Sequence, residues 1–322
     1  PDSGRRTPTK KQRNRGSTPL DRMLRPWWQA PWVLVGGGIG AVAAMVLIIV
    51  LIVSAVAPAA IKLGPVPASV LSAVTDPSAS VVSTVGGGGS YVGGQSQPPG
   101  DLVRIDPPQL LTDSAGKPEI VFVGAEYCPY CAAERWPMTM ALSRFGTFSG
   151  LQEMTSSATD VYPSTHTFTF HDSSYSSQYV DFMPNEVANQ AGAALETPTS
   201  AVESLFTTYG EPPYQAAGNN PGYPFLDIGG RFTIYTEQYS PAILEDSGGN
   251  PLTWQQIASD LSNAQSPVTQ AIVGAANYLT AAICVATGNQ PSGVCSSSTI
   301  KTLETTIQSQ TSNPSVAPPS SS

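Results

Sequence analysis

Charge is scarce in this sequence, and histidine and cysteine are scarcer still. Only 12% of the 322 residues are Asp, Glu, Lys or Arg; two are histidine and four are cysteine. Two histidines exclude a histidine-rich metal centre. His166 and His171 stand on a strand-like stretch at an odd separation, and period-two alternation sends them to opposite faces. A zinc site built on sulfur needs a second Cys-x-x-Cys or paired histidines. The remaining cysteines, Cys284 and Cys295, are eleven apart, so no metal is expected. No internal repeat is visible.

One absence is local. No charged residue lies between Arg25 and Lys62, and within that gap residues 32–57 read "WVLVGGGIGAVAAMVLIIVLIVSAVA". About 20 apolar residues at 1.5 Å each cross the ~30 Å hydrocarbon core of a bilayer. Trp27, Trp28 and Trp32 mark the near interface. Residues 1–31 hold eight Lys and Arg against Asp2 and Asp21, a charge of +6 that leaves −14 on the rest of the chain. The positive-inside rule therefore makes 1–31 a basic cytoplasmic head, 32–57 a transmembrane helix and everything beyond it extracytoplasmic. A nucleic-acid arm is the other use of such a head, but topology already accounts for its charges, so nucleic acid is not an expected partner. A cleaved signal peptide is the alternative to an anchor, since Ala55-Val56-Ala57 resembles a cleavage site. The run exceeds the usual ~7–15 apolar residues, and Pro58 follows directly. The expectation is a single-pass cell-membrane protein whose cysteines lie where disulfides persist.

Residues 58–100 form a Pro/Gly/Ser-rich linker, whose end, "GGGGSYVGGQSQPPG", is flexible by composition. Val66, Val70, Leu71 and Val74 have helical spacing, and Asp76-Pro77 offers an N-cap followed by proline, so short docking helices and a disordered stalk both remain open. The main domain spans 101–310 and a disordered tail 311–322. Ile120–Val123 reads as a strand buried on both faces, followed by a helix that Pro137 should kink and Gly146 should stop. "THTFTFHDSSY" alternates as the next strand, with Phe168 and Phe170 on one face. Residues 199–210 form a helix ended by Gly210, and 223–239 form two strands joined at Gly229-Gly230. Helices then follow at Thr253, over 268–288 (mostly apolar, hence buried) and over 297–310. The order β-α-β-α-β-β-α is the α/β pattern of a thioredoxin-like mixed sheet flanked by helices, here with a large insertion at roughly 150–200, rich in Ser, Thr and Tyr. That insertion is either a substrate surface or a solvated decoration.

The chemistry concentrates in "GAEYCPYCAAERW". Cys128 stands at a helix N-terminus, where the dipole and unpaired N–H groups stabilise a thiolate. Cys131, one turn on, can attack a mixed disulfide formed on Cys128, the division of labour that Cys-x-x-Cys sites use. Pro129 suits the first helical turn. A purely structural bridge across three residues would constrain little chain entropy. Cys284 and Cys295 close a longer Gly/Pro-containing loop and read as a structural disulfide, a second redox pair being the alternative.

The segments "GAEYCPYCAAERW", "DVYPSTHTFTFHDSSYSS" and "YPFLDIGGRF" resemble the family catalogued as domain of unknown function 929, within the thioredoxin superfamily. The resemblance implies a thioredoxin-like fold with Cys128 and Cys131 as the redox pair. It also implies a substrate-facing cis-proline before the hairpin, a place that Tyr223-Pro224 occupies. One departure is plain. The buried acid that assists the second cysteine in thioredoxins would fall at Phe122, leaving Glu126 and Glu134 as the nearest replacements, though both read first as solvated helix-end charges.

The leading expectation is a thiol–disulfide oxidoreductase acting on cysteine-containing exported proteins. Cys128 is the nucleophile, Cys131 the resolving thiol, and Pro224, Tyr223, Tyr130 and Pro129 the substrate contacts, with Tyr130 also modulating the potential. The Cys128–Cys131 disulfide is itself the redox group, without an organic cofactor, and an integral-membrane, quinone-linked partner would recharge it. A reductase for one enzyme or for cytochrome assembly differs only in the direction of electron flow. The alternative is a non-catalytic binding or assembly module of a membrane complex.

Overall fold

A five-stranded mixed sheet carries the cysteine segment at the end of an interior strand, one in from the edge. The structure, a computed structural model, describes residues 63–93, 99–215 and 222–310, all within one unit, Lys62–Ser322. The basic head 1–31, the membrane helix expected over 32–57 and the tail 311–322 lie outside the described residues.

In chain order the first elements are β1 (Gly64–Pro65), α1 (Ala68–Thr75), α2 (Ala79–Val85) and β2 (Val103–Arg104). Then come β3 (Glu119–Gly124), α3 (Pro129–Ser143), β4 (Gly146–Ser149), β5 (Gln152–Thr155), β6 (His166–Thr169), β7 (Ser174–Ser177) and β8 (Asp181–Glu186). The C-terminal half adds α4 (Ser200–Tyr209), β9 (Phe225–Ile228), β10 (Phe232–Ile234), α5 (Trp254–Asp260), α6 (Pro267–Ala286), α7 (Ser292–Cys295) and α8 (Ser298–Gln308).

The main sheet runs β2-β10-β9-β3-β8. β3 pairs parallel with β8 and antiparallel with β9, so its apolar run Ile120–Val123 is buried on both faces. The strand that follows α3 into this sheet is β8, not the alternating "THTFTF" segment. That segment is β6, which pairs with β5 in a separate three-stranded sheet, β1-β5-β6. β8 escapes a pattern reading because Pro184 interrupts it. Proline survives there because β8 is the sheet edge, where one row of N–H groups needs no partner.

β6 is buried on both faces. Phe168 packs on Trp136, while the Thr167 hydroxyl donates to the Ala132 carbonyl at 2.7 Å. α3 is thereby enclosed nearly all round and continues through Pro137 to Ser143 without a break. The Ala133 carbonyl, which Pro137 cannot serve, accepts the Tyr239 hydroxyl at 2.7 Å. Gly146 opens β4 instead of stopping the helix; a Cβ there would lie 2.4 Å from the Ser176 carbonyl oxygen.

Two other expectations change. α1 and α2 both form, with Val70, Val74, Val81 and Val85 in the core, but Ser78 is the N-cap of α2 and Asp76 caps the end of α1. Three glycines of the supposed linker, Gly87, Gly88 and Gly100, pack closely. A Cβ on Gly88 would meet the Gln270 carbonyl at 2.4 Å, and one on Gly274 would meet the Gly88 Cα at 2.6 Å. These glycines let the segment lie against α6, a use of glycine that composition does not distinguish from flexibility. α6 itself has the length and hydropathy of a membrane span, yet 83% of that stretch is buried among the described residues, making it the core helix. Cys284 at its end is bonded to Cys295 on α7, with the Cα atoms 5.6 Å apart.

Buried carboxyls give the domain an expected pH dependence. Burial pushes Asp101 up to about 7, with Glu237 adding to the shift, and burial pushes Asp227 up to about 7 as well. A carboxyl whose pKa is higher folded than unfolded stabilises fully below its unfolded value near 4, and this contribution is lost as pH rises through about 7. Asp113 and Asp246, held low chiefly by backbone N–H groups, act in the opposite sense only in stronger acid. Thermal melts should therefore show stability falling from pH 5 to pH 8, by about 1–3 kcal/mol for each raised group. Asp227→Asn should flatten the decline, since an amide oxygen can still accept the Gly230 N–H, now 2.6 Å from Oδ1.

Candidate functional site

β3 ends at Gly124, and the chain turns once before α3. The Ala125 carbonyl accepts the Cys128 N–H at 3.2 Å, closing that turn. Cys128 is the N-cap of α3, its Sγ accepting the Cys131 N–H at 3.3 Å, the role that Ser, Thr or Asp usually fills. Pro129 occupies the first helical position, where no N–H is needed. Both cysteines are free thiols; Cys131 is fully buried and Cys128 is 6% exposed.

The two thiols are driven apart electrostatically. The Cys131 thiol lowers the pKa of Cys128 by hydrogen bonding to it, and the Cys131 N–H and the Arg135 charge act in the same direction against burial. Burial pushes Cys131 well above the usual thiol range, and the adjacent Cys128 adds to this. One sulfur is thus favoured as an anion at the helix N-terminus while the other is held neutral behind it.

Tyr223 and Pro224 come to the same place at the start of β9, the strand paired beside β3. The Cys128 thiol donates to the Tyr223 carbonyl at 3.8 Å, and the Tyr223-Pro224 peptide that leads into β9 is cis. Tyr130 sits partly buried on the rim, edge-to-face with Tyr162 at 6.0 Å between centroids. Tyr162 belongs to the Ser/Thr/Tyr-rich stretch, and Ser157 from that stretch donates its N–H to the Tyr127 carbonyl at 2.9 Å. At least this part of the insertion borders the cysteines.

Glu126 and Glu134 are not solvated charges. Glu126 is 5% exposed and accepts the Thr169 hydroxyl at 2.6 Å; Glu134 is fully buried and accepts the Gln238 N–H at 3.0 Å. Burial pushes both carboxyls up. Neither bonds a cysteine. Glu134 instead faces Asp101 and Glu237, whose charges raise it further.

The sequence reading passed over Arg135 and Glu186. Arg135 is fully buried and grips Glu186 with two parallel bonds, Nε–Oε1 at 2.8 Å and Nη2–Oε2 at 2.6 Å. Its position, four residues after Cys131 and seven after Cys128, puts it on their helix face, a signal available in the sequence. Glu186 had no such signal, because it ends the unrecognised β8. His171, expected opposite His166, binds Glu196 at 2.6 Å, and His166 packs edge-on against Trp254. Among the described residues no group of three or more His, Cys, Asp or Glu is arranged to hold a metal.

A family model described as a domain of unknown function (DUF929) matches residues 102–285, more than half of the chain, and the chain belongs to that family. The match encloses both site cysteines, Arg135, Glu186 and Pro224. No curated protein and no solved structure matches the chain.

Proposed function

We propose that this chain is a membrane-anchored, extracytoplasmic thiol–disulfide oxidoreductase of thioredoxin-like fold, acting on cysteine-containing exported proteins. The observation that carries the reading is the asymmetry of the pair: Cys128 caps α3 with a donated N–H on its sulfur, while Cys131 is sealed behind it. Support for the fold is the order β8-β3-β9-β10, with β3 and β8 parallel and joined through α3, and β9–β10 an antiparallel hairpin. Support for the anchor is the uncharged stretch Trp32–Ala57 behind a basic head.

In the oxidising direction, a substrate thiolate attacks Cys128 Sγ of the Cys128–Cys131 disulfide. The new sulfur–sulfur bond forms as the old one breaks, and Cys131 leaves as a thiolate that takes up a proton. A second substrate thiolate attacks the substrate sulfur of the mixed disulfide and releases Cys128 as a thiolate. Two electrons pass from substrate to enzyme, and the same atoms run the reverse exchange. Tyr223 and Pro224 line the attacked sulfur, Tyr130 and Pro129 shape its rim, and the disulfide is the redox group. A disulfide-bearing, quinone-linked membrane protein is the class of oxidant that would restore it. The test is to trap substrate on Cys128 in a Cys131→Ser chain, with Cys128→Ser as control; no adduct in either would leave a scaffold role.

A further inference from the structure

The buried pair Arg135–Glu186 needs a reason to exist. Removing two charges from water is expensive, and a buried ion pair is weak evidence for stabilisation. Its placement is specific. Register pairs Glu186 with Gly124, the last residue of β3 before the cysteine turn. Besides its two bonds to Glu186, Arg135 donates from Nη2 to the Ala125 carbonyl at 3.0 Å, the same oxygen that accepts the Cys128 N–H. The Phe122 ring, where a thioredoxin acid would stand, lies 5.7 Å from the guanidinium carbon. Arg135 Nη1 has no acceptor among the described residues. Glu186 is itself fixed: its N–H donates to Glu196 at 2.7 Å, and its carboxylate accepts the Phe170 N–H at 3.4 Å. Glu126 lies close enough to feel the charges of both Arg135 and Glu186.

Building on the redox reading above, we propose that Arg135 is a positioning residue of the Cys128–Cys131 pair. Its guanidinium, held by Glu186 and the Ala125 carbonyl, is the fixed positive charge against which each cysteine leaves as an anion. Both displacements described above release a thiolate on the Arg135 face of α3. A cation already in place stabilises the reduced form and makes the disulfide the stronger oxidant. Consistent with this, the Arg135 charge acts to lower the pKa of both thiols.

The test compares three full-length chains in detergent: the natural one, Glu186→Gln, and Arg135→Met/Glu186→Gln, which removes both charges without orphaning either. The readouts are the pH midpoint of Cys128 alkylation by iodoacetamide and the equilibrium with glutathione. The double variant should alkylate about tenfold more slowly at pH 6, and its equilibrium should move about tenfold toward the disulfide, or roughly 30 mV. Glu186→Gln keeps the cation and removes its counter-charge, so its midpoint should move the other way. Should the double variant fail to fold, Glu186→Gln alone decides by its direction. Folded variants that keep both readouts within about twofold of the natural chain would overturn the inference and leave Arg135 a structural residue. A natural pair that cannot be reduced while folded would overturn the redox reading as well, and that result shows before any variant is made.

Discussion

Serine in place of Cys131 should accumulate a covalent adduct between Cys128 and a substrate protein, and serine in place of Cys128 should abolish it. The difference follows from the positions of the two sulfurs. Cys128 is the sulfur at the mouth of the site, capped by the Cys131 N–H and bonded to the Tyr223 carbonyl. Cys131 is wholly enclosed, so its reach extends only to Cys128. In the reverse exchange the Cys128 thiolate attacks a substrate disulfide; removing Cys131 leaves that attack intact and deletes the thiol that would resolve the mixed disulfide. Removing Cys128 substitutes a hydroxyl, which does not ionise in this pH range, and exchange should fall on the order of a hundredfold or more. Non-reducing electrophoresis of membranes from cells carrying each variant reads both results. A binding module would tolerate either change silently.

Arg135→Met alone should cost about 3–5 kcal/mol, because it strands the Glu186 carboxylate in the interior. At roughly 2–4 °C for each kcal/mol in a domain of this size, the melting temperature should drop by roughly 6–20 °C. Adding Glu186→Gln should recover most of that loss, since the second change removes the uncompensated charge. The contrast between single and double variants in thermal melts checks the geometry of the pair independently of any activity. Equal losses in the two would mean that Arg135 matters through packing, for instance against Phe122, and not through its charge.

The parts of this protein that could be read from sequence are those governed by local rules. Ile120–Val123 announced a buried strand, Cys128-Pro129 a helix start, and Gly229-Gly230 a turn, with both glycines at positive φ. Gly210 ends its helix and Thr253 caps the next as expected, the latter as a capping box with Gln256. What stayed hidden depends on what packs over what. Glu126, Glu134 and Arg135 look solvated until β6, β8 and the 235–239 segment are laid over α3, and no periodicity in α3 foretells that enclosure. β8 was hidden by Pro184, whose tolerance depends on being at a sheet edge, a property of the whole sheet. Gly88 reads as linker in sequence because close approach to α6 and free rotation call for the same residue.

The reduction potential of Cys128–Cys131 in the folded chain tests the central claim most directly. Equilibration in glutathione buffers, followed by alkylation and mass measurement, reads it, with the Cys284–Cys295 disulfide as an internal control expected to stay oxidised. The account predicts a reversible two-electron transition in a folded domain. A value at roughly −120 to −200 mV fits a donor of disulfides, and one near about −270 mV fits a reductase. A pair that is reduced only when the domain unfolds would contradict the account.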